Sequence, residues 1–331
     1  MMGMLIAPVS NRTAFFHPLL SGFLFSSEFS PTTIRTYRTA LASFFDWMAL
    51  CGTDFPAREH IVSWKEYLKQ TRSLATAQTY LAAVRLFFKW TGRYGKYPDI
   101  ASSVKGVKVG RSPKRDFLAP HQVLSVLDET KSGNSHLRDY SMILLMVTCG
   151  LRVSEVAQAN VEDLNHVGGE PVLYIHGKGR DGKTDFVNVP KKVASAIRRY
   201  LLSRGSPAGP SPLFASVSRN NGGGRMTSHS VSRIVKTMLK SAGFDSRRLT
   251  AHSLRHTAVT VSLQAGATLQ QVQQFARHSL IMTTQIYAHN LEQCRNPCSS
   301  KIARLLTRAG NSKRKDRDVP EKGSPETGTP D

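Results

Sequence analysis

Regular pattern along the chain begins at Ser30-Pro31, where a hydroxyl able to cap a helix precedes proline at the first helical position. Ile34, Tyr37, Leu41, Phe44, Phe45 and Met48 then recur at helical spacing until Gly52. The same spacing predicts a second helix over residues 57–70, with Ile61, Trp64 and Leu68 on one side. A third opens at Ser73 and carries Tyr80, Leu81, Val84, Phe87, Phe88 and Trp90. These helices predict a compact helical domain. Over residues 92–116 the pattern stops, and four glycines with Pro98 and Pro113 give the segment the composition of a linker.

Beyond the linker, residues 120–130 and 137–148 read as helices, the second apolar enough to be buried. Residues 172–176 alternate as a strand, as do 186–189, and the turn-forming run Gly177-Lys178-Gly179-Arg180-Asp181-Gly182 between them predicts a hairpin. Further helices are expected over residues 191–204, 228–242, 253–265, 269–275, 282–289 and 300–308. The chain of 331 residues is long enough for two domains with separate cores. The expected fold is mainly α: a helical N-terminal domain, then a mixed α+β domain with a small antiparallel sheet. Boundaries are expected as an N-terminal extension (1–26), the helical domain ending in a basic linker (27–108), the second domain (109–308) and a disordered tail (309–331).

Charge narrows the function. Lys and Arg number 45 against 23 Asp and Glu, a net +22, and the tail from Asn311 onward is itself neutral. The surplus therefore lies on the folded part, which favours a polyanionic partner, with nucleic acid the commonest. In the helical domain Arg35, Arg38, Lys65, Lys69, Arg72, Arg85, Lys89 and Arg93 fall mostly between the apolar positions, so one face can lie along phosphates. No apolar run approaches the ~20 residues of a membrane-spanning helix, and the N-terminus lacks the pattern of a signal peptide. A cytoplasmic, nucleoid-associated protein with no membrane partner is the expectation. Cys51 and Cys149 lie among apolar residues and read as buried thiols, whereas Cys294 and Cys298 lack the second ligand pair that a zinc site needs.

Four short segments carry candidate chemistry: Thr148-Cys149-Gly150-Leu151-Arg152-Val153-Ser154-Glu155, His176-Gly177-Lys178-Gly179, His252-Ser253-Leu254-Arg255-His256-Thr257, and Arg277-His278-Ser279 through Tyr287-Ala288-His289. Breaking a phosphodiester needs a nucleophile, neutralisation of charge on the pentavalent phosphate and a proton for the leaving oxygen. Arginine suits the second task because its planar fork bonds two phosphate oxygens, and Arg152 and Arg255 come from distant segments. His252 and Arg255 are three apart and share a helix face. Lys178 sits on a turn from which it can reach a leaving oxygen, although Lys183 in the same loop competes for that role.

In order and spacing these segments resemble the active-site boxes of the tyrosine recombinases, which include phage integrases, Xer recombinases and integron integrases. The resemblance implies a SAM-like helical bundle ahead of the catalytic domain. It implies Tyr287 as the nucleophile that becomes linked to a 3′-phosphate, and Lys178 as the general acid. Arg152, Arg255, His252 and His278 would hold and polarise the phosphate, with Glu155 supporting the first arginine. It further implies a DNA duplex bearing specific recombination sites as substrate, a tetramer on DNA, possible accessory recombination proteins, and no cofactor or metal. A C-terminal helix like that expected over residues 300–308 docks on a neighbouring protomer in relatives. One departure stands out: many relatives carry Leu-Gly-His where this chain has Ala276-Arg277-His278, a change that can add a phosphate contact.

Two other readings compete. A metal-dependent nuclease would use His252, His256 and His278 as ligands, but Ser253 stands where an H-E-x-x-H motif needs its glutamate. A DNA-binding protein without catalysis is opposed by the complete set of Arg152, Lys178, His252, Arg255, His278 and Tyr287. A type IB topoisomerase shares the chemistry but not this order and spacing.

Overall fold

The computed structural model describes residues 16–26, 28–110, 116–131, 135–176, 182–183 and 185–315. It divides into two compact units, residues 1–111 and 112–331. The first holds α1 (Phe16–Ser26), α2 (Pro31–Leu50), α3 (Arg58–Thr71) and α4 (Leu74–Arg93). Ser30 and Ser73 cap α2 and α4, each accepting a backbone N–H three residues on, from Thr33 at 3.3 Å and Thr76 at 3.1 Å. The core is aromatic: Phe44 meets Trp64 edge-on at 5.1 Å, and Phe87 and Phe88 pack beside them.

Two segments differ from the pattern-based expectation. The stretch set apart as an extension contributes α1, whose Phe16 stacks on Phe45 at 4.9 Å while Phe23 meets Phe87 and Trp90. Pro18 does not break this helix because it lies in the first turn, where no intrahelical N–H bond is lost. Gly22 lets α1 approach closely, since a Cβ there would lie 3.3 Å from the Trp90 ring. The expected linker is largely fixed on this unit. Tyr97 donates to the Pro56 carbonyl at 2.7 Å, the Val107 N–H donates to Gln78 at 2.7 Å, and Ala101 and Val104 are buried. Its apolar side chains outweigh its glycines and prolines. Cys51, expected inside, is exposed at the end of α2.

The second unit begins with α5 (Pro120–Glu129), α6 (His136–Cys149) and α7 (Val153–Gln158). A 3-10 turn (Val161–Asp163) leads into β1 (Leu164–Val167), β2 (Glu170–Ile175) and β3 (Asp185–Asn188). These form one antiparallel sheet in order β1-β2-β3, with Leu173 opposite both Leu164 and Val187. β1, with three exposed residues in four, gave no apolar alternation to read. Then come α8 (Lys191–Ser203), α9 (Ser228–Ser241), α10 (Ala251–Gln264), α11 (Leu269–Ala276), α12 (Ile281–Arg295) and α13 (Cys298–Lys315). The core runs from α6, buried from Ser141 to Met146, to β2, α8, α9 and α10. Residues 309–315, placed in the tail by composition, continue α13, and the rest of that tail lies outside the described residues. Among the described residues no helix is long and apolar enough to cross a membrane, and no cluster of three or more His, Cys, Asp or Glu forms a metal site.

Candidate active site

Five helices of the second unit, α6, α7, α10, α11 and α12, bring residues to one point. α6 ends at Gly150, whose φ of +59° is left-handed and whose Cβ, if present, would lie 3.0 Å from Phe275. Glycine is therefore required twice over. The chain then turns sharply into α7, and Glu155 in its first turn accepts the Arg152 backbone N–H at 2.7 Å. The same carboxylate pairs with the Arg152 guanidinium at 2.7 Å and that of Arg277 at 2.9 Å, and is itself only 3% exposed.

Arg255, on α10, is also buried, and its Nη1 donates to the Gly150 carbonyl at 2.7 Å while Nη2 donates to the Ala276 carbonyl. Arg152 Nη2 reaches the Arg277 carbonyl at 3.2 Å. Thus the ends of α6 and α11 are laced together by three guanidinium groups, two of which, Arg152 and Arg277, share the Glu155 carboxylate while Arg255 bonds backbone carbonyls. The excess of positive charge in low-dielectric surroundings is unfavourable until an anion enters. Burial, followed by the nearby Arg152 and Arg277, pushes the Arg255 pKa down to about 9, which leaves it charged at neutral pH.

The expected role of Arg277 as an added phosphate contact is not the one its geometry favours. It terminates α11 in the left-handed region, φ +53°, and turns inward onto Glu155, the Gly150 carbonyl and the Phe275 carbonyl. His278 follows on the turn, its Nδ1 3.0 Å from the Thr284 hydroxyl. Burial, then Arg255, Arg152 and Arg277, pushes the His278 pKa down to about 4, so at neutral pH its ring is uncharged.

Tyr287 lies on α12, which packs on α10 and α11. Its ring stacks on His278 at 6.3 Å and meets His256 at 5.1 Å, with Tyr287 Oη 3.3 Å from His256 Nε2. His252, one turn before His256, is exposed, and its ring touches that of His256 at 5.0 Å. Burial raises the Tyr287 pKa, opposed by Arg255. In the DNA-free protein desolvation thus outweighs the attraction of Arg255, and the protonated phenol is favoured.

The sequence profile described as the phage integrase family matches residues 116–293, and that of the phage integrase N-terminal SAM-like domain matches residues 21–95. The chain belongs to the phage integrase family. It is 32% identical over 272 residues to tyrosine recombinase XerC of Pelobacter propionicus, covering 78% of this chain and 85% of that one. In fold it is similar to the XerH site-specific recombinase bound to a palindromic difH substrate (TM-score 0.72, 18% identity, 90% of this chain and 98% of that one). It is also similar to the lambda integrase tetramer bound to a Holliday junction (TM-score 0.64, 17% identity, 82% and 76%).

For a member of this family, the structure brings Arg152, Glu155, Arg255, His278 and Tyr287 into one cluster, with His252 at its exposed edge. Lys178 lies outside the described residues. Its competitor Lys183 is engaged elsewhere, 2.5 Å from the buried Asp163, which also accepts the Asn160 N–H of the 3-10 turn at 2.6 Å. Two residues at the cluster have a place that the recombinase reading of the sequence did not give them: His256, named only as a ligand in the rival nuclease reading, and Arg277, expected to face phosphate. His256 had a signal, four residues from His252 and so on the same helix face. The inward turn of Arg277 had none, because it depends on a backbone conformation that its residue type does not announce.

Proposed function

We propose that this tyrosine recombinase acts on specific sites in duplex DNA, serving integration, excision or resolution of a mobile element or replicon, with Tyr287 as the nucleophile. The observation that carries this reading is the Tyr287 hydroxyl set beside a cluster of three guanidinium groups, two of them paired with the buried Glu155. In this reading Arg152 and Arg255 neutralise the two non-bridging oxygens of the scissile phosphate. His252 and the uncharged His278 orient that phosphate, and Glu155 holds Arg152. Lys178 protonates the leaving 5′-oxygen. The pairing of Lys183 with Asp163 supports that choice. The ester formed at Tyr287 stores the energy of the broken bond, so rejoining needs no nucleotide and no metal. The family neighbour described as a tetramer on a Holliday junction supports a tetramer here, formed on two sites.

The test starts from a duplex selected out of a random-sequence pool by repeated binding to the full chain. A plasmid carrying two copies of it, incubated with the protein in EDTA and without nucleotide, is expected to give recombined circles of conserved total length. Unrejoined linear products, or loss of activity with the chelator, would contradict the reading.

A further inference from the structure

The cluster leaves one proton unaccounted for. Tyr287 must lose its hydroxyl proton as it attacks, yet burial raises its pKa, so in the DNA-free protein it is a phenol. The general acid on the hairpin supplies a different proton, to the opposite side of the phosphate. Arg152, Arg255 and Arg277 are donors only and take up no proton. His278 is directed by its Nδ1 to Thr284 rather than to the phenol oxygen. Among the described residues, His256 Nε2 lies at hydrogen-bond distance from Tyr287 Oη, at 3.3 Å.

We propose that His256 is a catalytic residue, the acceptor of the Tyr287 proton; this rests on Tyr287 being the nucleophile. With its ring proton on Nδ1, the imidazole offers the Nε2 lone pair to the phenol. As Oη bonds to phosphorus, the Oη proton passes to Nε2. The bond from phosphorus to the 5′-oxygen breaks with its electron pair, and that oxygen takes its proton from the general acid. Rejoining runs the steps backwards: the 5′-hydroxyl attacks the phosphotyrosine and the His256 imidazolium returns its proton to the departing Oη. The separation is long for an O–H to N bond, as such contacts often are before substrate closes the site. The helix geometry fixes the approach. His256 is four residues after His252 on α10, so the two rings share a helix face on which His256 meets Tyr287 of α12, and the neighbouring Arg255 is turned to the Gly150 carbonyl.

The experiment uses the full chain and the selected duplex with a nick scanned across it, which traps the covalent adduct. Single-turnover adduct formation is measured for wild type, His256→Gln and His256→Phe, each also made with 3,5-difluorotyrosine at position 287, a more acidic phenol. Glutamine preserves a hydrogen bond to the hydroxyl but takes no proton. Both variants are expected to bind the duplex as wild type does and to form the adduct slower by about 100-fold or more. Difluorotyrosine is expected to restore at least about tenfold in the variants while changing wild type little. A His256→Gln rate within threefold of wild type overturns the proposal, and so does an equal loss with both tyrosines, which marks a packing role. A wild-type adduct located away from Tyr287 overturns the nucleophile assignment and the proposal together, whereas a Tyr287 adduct formed at full rate without His256 removes the proposal alone.

Discussion

Arg277 occupies a backbone conformation that L side chains rarely adopt, φ +53°, at the centre of the charged cluster. Its buried Nε has no hydrogen-bond partner among the described residues. Both features cost stability, and the pairing of its other nitrogens with Glu155 and two carbonyls offsets them. Arg277→Ala keeps the strain and removes the pairing, and is expected to cost about 1–3 kcal/mol in urea unfolding of the DNA-free protein. Arg277→Gly loses the same pairing without the strain and is expected to recover about 1 kcal/mol of that loss. Equal stabilities for the two variants would show that the turn is unstrained. At this scale the sequence was legible where chemistry shows in residue type. Arginine, histidine and tyrosine in ordered boxes announced the cluster, but direction of approach did not show. Whether Arg277 faces phosphate or Glu155, and whether Tyr287 leans on His256 or His278, depends on helix packing and one backbone angle.

Among the elements, periodicity located the long helices well, because α2, α4 and α6 bury faces that recur at helical spacing. It failed where composition misled. Pro18 and Gly22 disguised α1, and glycines and prolines disguised a packed loop held by Tyr97 and Val104. The last helix shows another effect. α13 leaves Ile302, Leu305 and Leu306 exposed by 57%, 65% and 69%, a row of apolar side chains at helical spacing that the described residues of the second unit leave open. The proposed tetramer gives this row an occupant, a neighbouring protomer. Ending the chain after Asn296 is therefore expected to leave the affinity of single protomers for the selected duplex unchanged, measured by mobility shift, while recombination of the two-site plasmid falls at least about tenfold. Full recombination by the shortened chain would mean that α13 has no part in assembly.

For the molecule as a whole, two units with separate cores and a net charge of +22 suit a protein that engages a long polyanion through many phosphate contacts. The charge announced the partner class, and the four boxes announced the chemistry; neither carries the DNA sequence recognised. Everything proposed for the cluster converges on one covalent bond. The decisive measurement is peptide mapping of the adduct trapped on the nicked selected duplex, run beside Tyr287→Phe. That change removes one oxygen and keeps the half-buried ring, so folding and DNA affinity are expected to persist. The account predicts an adduct on Tyr287 in wild type and none in Tyr287→Phe. A covalent DNA adduct formed by Tyr287→Phe would contradict it.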